Sequence, residues 1–496
     1  MKLSDLARRL HPLGVRVGNA PSALTGSADP DLARACFDSR AVRAGDLFCA
    51  LPGTRADGAA FVTDALARGA AAVLGAELPD ALPAPVLLAP ARAAVARAAG
   101  EAAHQLAGEP SGALWCAAVT GTNGKTTVVH LVAQALDAAG VPCARAGTLG
   151  LAFRGAAIAT KETTVSGDRL HAWLAEAAAA GARACACEAS SHGIAQQRLS
   201  GVRLDAAAWT NLTHDHLDYH GTLDAYARAK AALFLELPRE ATALLPSAFA
   251  DAAPLTAGSA ARRIFWGCDT RSDLRAAWRA EGEGLALDVD GVFGRARVRS
   301  PLAGAHNAEN LLVAFGLLRC AGLDNAAAAE ALSTARAAPG RLERVAPDAP
   351  WRLFVDYAHT PDALQRVIAA LRASFPESRL GVVFGAGGDR DPLKRAPMGR
   401  AVASAADWCL VTSDNPRTED PQRIAAMVAE GVAQAGTRPE ILLGRRAAIR
   451  AAVARLRPGE VLLVAGKGHE DYQEVHGVRQ PFDDREVLAE AARCSA

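Results

Sequence analysis

The sequence predicts an α/β protein of three domains, on three grounds. Its 496 residues are about three times the length of an ordinary domain. From residue 113 onward, short apolar runs alternate with helical stretches, the grammar of parallel strands joined by crossover helices. A glycine-bearing loop, Gly121 to Gly124, stands between the first of those runs and the helix that follows it.

The first domain, 1–110, mixes turn-rich pieces with short apolar runs and closes on an alanine-rich helical stretch over 91–106; residues 107–112 read as a linker. The central domain, 111–338, opens on a strand at 113–120 and a helix at 125–139. Further strands are expected at 182–187 and 204–210, and helices at 223–237 and 310–320. The last domain, 339–496, repeats the pattern: strands at 353–357, 380–384, 408–412 and 460–465, with helices at 361–374, 396–406 and 421–435. That is a second, smaller doubly wound sheet, in which ligands sit at the loops after the strand C-termini.

Composition excludes several functions. Hydrophobic residues at 50% against 22% charged supply several cores and no disorder signature. Lys and Arg total 54 against 53 Asp and Glu, without a long block of one sign, which argues against binding by neutralising nucleic-acid phosphates. No run reaches the roughly 18 apolar residues of a membrane span, and the first residues lack the apolar core of a signal peptide. The expectation is a cytoplasmic monomer. The 10 cysteines are scattered, and the close pair Cys185 and Cys187 lies on an apolar, strand-like run; they read as small buried hydrophobes in a reducing compartment.

The loop Gly121-Thr122-Asn123-Gly124-Lys125-Thr126-Thr127 has the composition and context of a phosphate cradle. Its glycines allow backbone N–H groups to approach phosphate oxygens, Lys125 would neutralise the β- and γ-phosphates, and the Thr126 hydroxyl would bind Mg²⁺. Val119 stands where the strict P-loop pattern has glycine, so this is a shorter variant. Two segments rich in acids and histidines follow apolar runs: Glu188 to Gly193, and Asn211 to Gly221 with His214, Asp215, His216, Asp218 and His220. A carboxylate and a histidine beside nucleotide-bound Mg²⁺ suit phosphoryl transfer. Zinc held by His214, His216 and His220 is the competing reading, though the spacing fits no closed zinc pattern well.

These segments resemble the ATP-dependent Mur ligases of peptidoglycan assembly, which serve cell-wall growth, cell shape and division. The likeness runs through the phosphate loop, Glu188 to Gly193, Asp215 to Gly221 and Tyr226 to Lys230. It continues through Gly304 to Asn310, Pro339 to Glu343, Val355 to Leu364, Gly387 to Asp391, Asp414 to Arg417 and Gly466 to Glu470. It is strongest to the members that join meso-diaminopimelate to UDP-N-acetylmuramoyl-L-alanyl-D-glutamate.

The resemblance implies an N-terminal UDP-sugar-binding domain, a central P-loop ATPase domain and a C-terminal Rossmann-like domain that receives the amino acid. It implies that Lys125, Glu188, His216 and Lys230 are catalytic, and that Thr126, Glu188, His216 and Lys230 as its carbamate bind Mg²⁺. Composition alone makes Lys230 an exposed helical lysine. Gly121 through Thr127 would bind ATP with Asn307 or Asn310, Arg341 and Asp356. Phe37, Ser39, Thr54, Arg55 and Ala56, with Thr163, Thr164, Ser190, Gln196 and Arg198, would hold the UDP-sugar-dipeptide. Val165 stands where many relatives have proline after the paired threonines.

The implied reaction moves the γ-phosphate of ATP to the D-glutamate γ-carboxylate and lets the amine of meso-diaminopimelate attack the acyl phosphate. Telling diaminopimelate from lysine requires recognition of one extra carboxylate, and an arginine supplies a bidentate, charge-assisted contact. Arg417 in Asp414-Asn415-Pro416-Arg417 is the candidate, with Arg390, Gly466 and Glu470 completing the pocket and Glu470 pairing the distal ammonium. The alternatives are a lysine-adding ligase and a folylpolyglutamate-type ligase.

Overall fold

The apolar run that opens the central domain forms a strand because both its faces are covered. Trp115–Thr120 is buried from Cys116 onward and lies between two parallel partners, Ala184–Glu188 and Ala206–Trp209. In this computed structural model, which describes residues 1–18, 29–53, 56–79, 82–213, 215–249 and 251–495, the chain divides into two compact units. The first comprises Met1–Arg275 with Gly291–Phe293 and Val313–Ala331. The second comprises Ala276–Asp290, Gly294–Leu312 and Leu332–Ala496.

The first unit carries two sheets. The N-terminal one runs in the order Arg16–Gly18, Val86–Leu88, Ala72–Gly75, Leu47–Cys49, Ala35–Cys36, antiparallel only at its first pair. Its strand residues alternate between two cores. Leu47, Leu74 and Leu87 pack under the helices Leu3–Leu10 and Val95–Leu106, while Phe48 and Val73 pack with Val62 and Ala65 on the other face. Among the described residues the central sheet has eleven strands; from Arg262–Gly267, which pairs with Leu274–Glu281 on its outer side, it runs Thr242–Pro246, Ala206–Trp209, Trp115–Thr120, Ala184–Glu188, Cys143–Gly147, all parallel, and ends in antiparallel Gly150–Phe153 and Ala156–Ile158.

Residues 107–112 are not a free linker. Arg203 N donates to Ser111 Oγ at 3.0 Å, the Arg203 guanidinium reaches Glu109 at 3.2 Å, and a Cβ on Gly100 would stand 2.6 Å from Ser200 Cβ. The helix Val95–Leu106 therefore lies directly on the central domain.

The second unit is doubly wound, as its sequence pattern predicts. Edge strand Glu343–Val345 pairs antiparallel with Arg352–Asp356, followed in parallel by Val461–Ala465, Leu380–Phe384 and Trp408–Val411. Period-two alternation sends Phe354, Val382, Phe384 and Leu463 to the face covered by Pro361–Ser374, Arg395–Ala403 and Pro421–Gln434. Leu353, Val383, Leu462 and Val464 go to the face under Arg445–Val453 and Asp484–Ser495. Between the sheet and these last two helices lies an ion pair with no exposed side-chain surface. Arg445 Nε and Nη2 donate to Asp484 Oδ1 and Oδ2 at 2.7 and 2.6 Å, and Arg445 also donates to Ser413 O and Ala465 O at 3.3 and 3.0 Å.

Seven cysteines, Cys185 and Cys187 included, are buried as expected, and burial pushes the Cys187 thiol up to about 12; Cys268 and Cys494 are exposed instead. Among the described residues no helix is long and apolar enough to cross a membrane.

Candidate active site

The phosphate loop takes its shape from its glycines and from the neighbouring strand. Gly121 has φ +144, and a Cβ there would lie 1.9 Å from Thr210 Oγ1; Gly124, with φ +87, caps the helix Lys125–Ala138. Asn211 and Thr210, just past the strand Ala206–Trp209, hold the loop from the side. Asn123 N donates to Asn211 Oδ1 at 2.9 Å, and Thr210 Oγ1 donates to Asn123 O at 2.6 Å. Lys125 folds back over the loop, its Nζ donating to Gly121 O and Thr122 O at 2.8 and 2.9 Å. The arrangement places a cation and a helix N-terminus where anionic oxygens are stabilised. Gly121→Ala is expected to weaken ATP binding by about tenfold or more, because the added methyl must displace Thr210; calorimetric titration giving wild-type affinity would contradict this.

Glu188 ends its strand opposite Val119 in the parallel register, so the fold delivers its carboxylate beside the loop. It is 2% exposed. Thr126 Oγ1 donates to Oε2 at 2.9 Å, Thr148 N to Oε1 at 2.8 Å and Thr148 Oγ1 to Oε2 at 3.1 Å. The pair of oxygen donors, Thr126 and Glu188, fits Mg²⁺, which takes one or two protein oxygens and completes its shell from substrate phosphates and water. Sequence reading missed Thr148; the signal for it was a glycine-flanked threonine after an apolar strand.

Around Glu188 the predicted peptide-binding residues converge. Thr164 Oγ1 donates to Glu188 O at 2.8 Å and lies 3.1 Å from Ser190 Oγ, Thr163 Oγ1 lies 3.2 Å from Thr148 Oγ1, and Arg198 donates to Thr164 O at 2.6 Å and to Gln196 Oε1 at 2.7 Å. Val165, in place of the proline, is buried at 4% exposure and lines a small cavity with Gly147, Thr163 and Glu188. In the N-terminal domain, Phe37 N donates to Asp168 Oδ2 at 3.0 Å, at the start of the helix Gly167–Ala179. Ser39 is buried and Ala56 lies beside Gly53; Thr54 and Arg55 fall outside the described residues.

Lys230 is not an exposed helical lysine. On the helix Leu223–Leu235 it is 1% exposed, donates to Gly121 O at 2.9 Å and lies 4.2 Å from the centre of the Tyr226 ring. The inner face of that helix turns it toward the loop. Burial, reinforced by the Lys125 cation, holds its amine well below the usual lysine range, with Asp215 opposing. Tyr226 donates to Thr122 Oγ1 at 3.3 Å, and burial pushes its hydroxyl up to about 12.

His216 has φ +53, a left-handed backbone steadied by its N–H donating to Asp215 Oδ1 at 2.9 Å, and its ring lies 6.2 Å from Tyr226 and 5.0 Å from His192. The four predicted metal residues thus form two pairs: Thr126 with Glu188, and His216 linked through Tyr226 to Lys230. His214, one of the three histidines of the zinc reading, lies outside the described residues; among those described no group of three or more histidines, cysteines and acids could hold a metal.

In the second unit, Asn307 and Asn310 are buried in the helix Ala305–Cys320, which starts before its predicted beginning. Asn310 Nδ2 donates to Asn307 Oδ1 at 3.0 Å and Asn307 Nδ2 to Ala303 O at 2.8 Å. Asp356 accepts from Leu342 N and Ala358 N at 2.6 and 2.8 Å; burial raises its carboxyl and the Arg341 cation opposes that. Arg341 lies 4.7 Å over the Tyr357 ring, with Nε buried and unpartnered.

The predicted amino-acid residues gather at the C-terminal ends of three strands, Leu380–Phe384, Trp408–Val411 and Val461–Ala465. A Cβ on Gly387 would lie 3.1 Å from Arg417 Nη1 and 3.9 Å from Arg390 Cγ, so both arginines flank one glycine. Pro416 presses its carbonyl on Gly388, where a Cβ would meet it at 2.0 Å. Asp414 Oδ2 is buried without a hydrogen bond, and a Cβ on Gly466 would stand 2.4 Å from it. Asn415 Nδ2 donates to Glu470 Oε2 at 2.7 Å.

A phosphate loop on a parallel sheet, a carboxylate on the adjacent strand tip and a second doubly wound sheet with a charged pocket define a multidomain nucleotide-using enzyme. Residues 35–105 match the Mur ligase family catalytic domain, 119–318 the Mur ligase middle domain and 340–468 the Mur ligase glutamate ligase domain. The chain belongs to the Mur ligase family. It is 42% identical to the UDP-N-acetylmuramoyl-L-alanyl-D-glutamate--2,6-diaminopimelate ligase of Parasynechococcus marenigrum (strain WH8102), across 98% of this chain and 99% of that protein. It is 44% identical to the protein of that name from Caulobacter vibrioides, across 92% and 95%. A solved structure of a UDP-N-acetylmuramoyl-L-alanyl-D-glutamate--2,6-diaminopimelate ligase superposes with a TM-score of 0.71 at 34% identity, covering 93% of this chain and 95% of that one.

Proposed function

We propose that this protein is the ATP-dependent ligase that adds meso-diaminopimelate to the D-glutamate γ-carboxylate of UDP-N-acetylmuramoyl-L-alanyl-D-glutamate in peptidoglycan synthesis. It acts as a cytoplasmic monomer, where ATP and nucleotide sugars are at hand. The observation that carries the reading is the C-terminal pocket, where Arg390 and Arg417 flank Gly387 while Asp414 and Glu470 lie near Gly466 and Asn415. Paired cations and paired carboxylates suit a ligand that is both diacid and diamine.

In this reading Lys125 and the loop N–H groups hold the β- and γ-phosphates. Thr163, Thr164, Ser190, Gln196 and Arg198 orient the acceptor, with Phe37, Ser39, Thr54, Arg55 and Ala56 at its uridine end. Asn307 or Asn310, Arg341 and Asp356 bind the rest of the nucleotide. The acceptor carboxylate attacks the γ-phosphorus, ADP leaves, and the diaminopimelate amine displaces phosphate from the acyl phosphate. Thr126 and Glu188, with His216 and carbamylated Lys230, would hold Mg²⁺, which when bound supplies neutralisation of charge on the transferring phosphoryl group. The chain itself contributes positioning and electrostatics rather than a covalent nucleophile.

Phosphate release measured with the UDP-dipeptide should depend on meso-diaminopimelate and be weak with L-lysine. Arg417→Ala should lower kcat/KM for diaminopimelate by about 10²-fold or more, the scale of a lost charge-assisted bidentate contact, and narrow the preference over lysine. Equal use of both amino acids by the unaltered protein would instead favour a lysine-adding ligase.

A further inference from the structure

Lys467 follows the strand Val461–Ala465 and has no exposed side-chain surface. Its neighbours Gly466 and Gly468 have φ +120 and +54, and a Cβ on Gly468 would stand 2.7 Å from Tyr357 Cβ. The chain thus turns around this residue in a conformation only glycines reach comfortably, and the lysine is directed inward. Its Nζ donates to Asn415 Oδ1 and to Glu470 Oε2, both at 3.2 Å, and lies 5.3 Å from the centre of the Tyr472 ring. Asn415 Oδ1 also accepts from Glu474 N at 2.9 Å, which with the 2.7 Å bond from Nδ2 to Glu470 Oε2 fixes the amide in one orientation.

We propose that Lys467 is the positioning residue of the amino-acid pocket, holding Glu470 and Asn415 so that the second oxygen of Glu470 is presented to the distal ammonium of the incoming amino acid. The proposal rests on the ligase reading above. Both side-chain donors reach Oε2, and among the described residues none hydrogen-bonds Oε1. Asp414 and Glu470 are both largely buried and repel one another, and the Lys467 cation beside Glu470 offsets that carboxylate's charge. Burial raises the Glu470 carboxyl and Asp414 adds to the rise, whereas Lys467 and Asn415 lower it. The other charged or titratable groups facing Glu470 are Tyr357, Tyr472 and Arg445, the last committed to Asp484.

The test compares Lys467→Met and Lys467→Gln with the unaltered enzyme, measuring KM for meso-diaminopimelate, ATP and UDP-dipeptide across about pH 6 to 9. Losing the cation makes Glu470 easier to protonate. The acid limb of kcat/KM for diaminopimelate is therefore expected to move up by about one pH unit, with KM raised about tenfold or more and the other two KM values within about twofold. Lys467→Gln keeps a hydrogen-bond donor without the charge, so a lysine needed only to fill space or donate one bond predicts a normal profile for it. An unshifted acid limb in both variants overturns the proposal, as does failure of both to accumulate as folded protein, which would assign Lys467 to folding. If the unaltered enzyme itself does not ligate meso-diaminopimelate, the reading of the pocket fails instead.

Discussion

Replacing Lys230 by alanine is expected to lower amide formation by about 10²–10³-fold, the scale seen when one preorganised electrostatic group is removed from a reacting centre. The surroundings of this lysine disfavour an ammonium: it is buried, it shares the Gly121 carbonyl with Lys125, and the Lys125 cation repels a second positive charge. The same field favours an anion at that place. A neutral amine can attack carbon dioxide, forming an N–C bond and releasing a proton, and the resulting carbamate would be stabilised by the cation that destabilised the ammonium. Two further results are expected. Activity of the unaltered enzyme falls when dissolved carbon dioxide is stripped from the assay, and a small carboxylate such as formate partly restores the alanine variant. Retention of more than about a tenth of the activity by that variant would remove Lys230 from the reaction.

Asp484→Ala is expected to destabilise the C-terminal domain by about 3–5 kcal/mol, the typical cost of leaving a fully buried charge without its partner. Arg445 keeps two backbone acceptors, Ser413 O and Ala465 O, but no anion. Urea denaturation followed by tryptophan fluorescence measures the loss. The double variant Arg445→Met, Asp484→Leu should recover most of it, because an apolar pair of similar volume avoids desolvating two ions. Stability recovered this way should still leave KM for diaminopimelate raised, since Ser413 and Ala465 precede Asp414 and Gly466. A single variant within about 1 kcal/mol of the unaltered protein would refute the expectation.

The chemistry-bearing loops were legible in the sequence because each follows an apolar strand whose two faces are both covered. Gly121 to Thr127 and Glu188 in the first unit, and Asp414 to Arg417 in the second, all stand where such a strand ends. The C-terminal alternation was readable for the same reason: Leu380–Phe384 and Pro361–Ser374 have their predicted boundaries. Less was visible where long-range contact decides the outcome. Arg262–Gly267 begins with two arginines and Thr242–Pro246 ends in proline, so neither has the look of a buried parallel strand. Lys230 could not be placed inside by composition, because its burial depends on the carbonyl of a loop far away in the chain. Thr148 and Lys467 act through other side chains, Glu188 and Glu470, and the partner of Thr148 is fixed by the fold rather than by neighbours in sequence.

The join between the first two sheets has a consequence for any attempt to dissect the protein. A side chain on Gly100 would run into Ser200, and Glu109 and Ser111 are both tied to Arg203, so the end of the N-terminal segment is part of the wall of the central domain. Cutting at residue 110 would strip a helix from the surface it shields and expose the wholly buried His171 ring, 5.1 Å from that of His104. The central domain is therefore an inseparable fragment: expressed from residue 113 alone it should be insoluble, whereas a boundary near 338 leaves this joint whole.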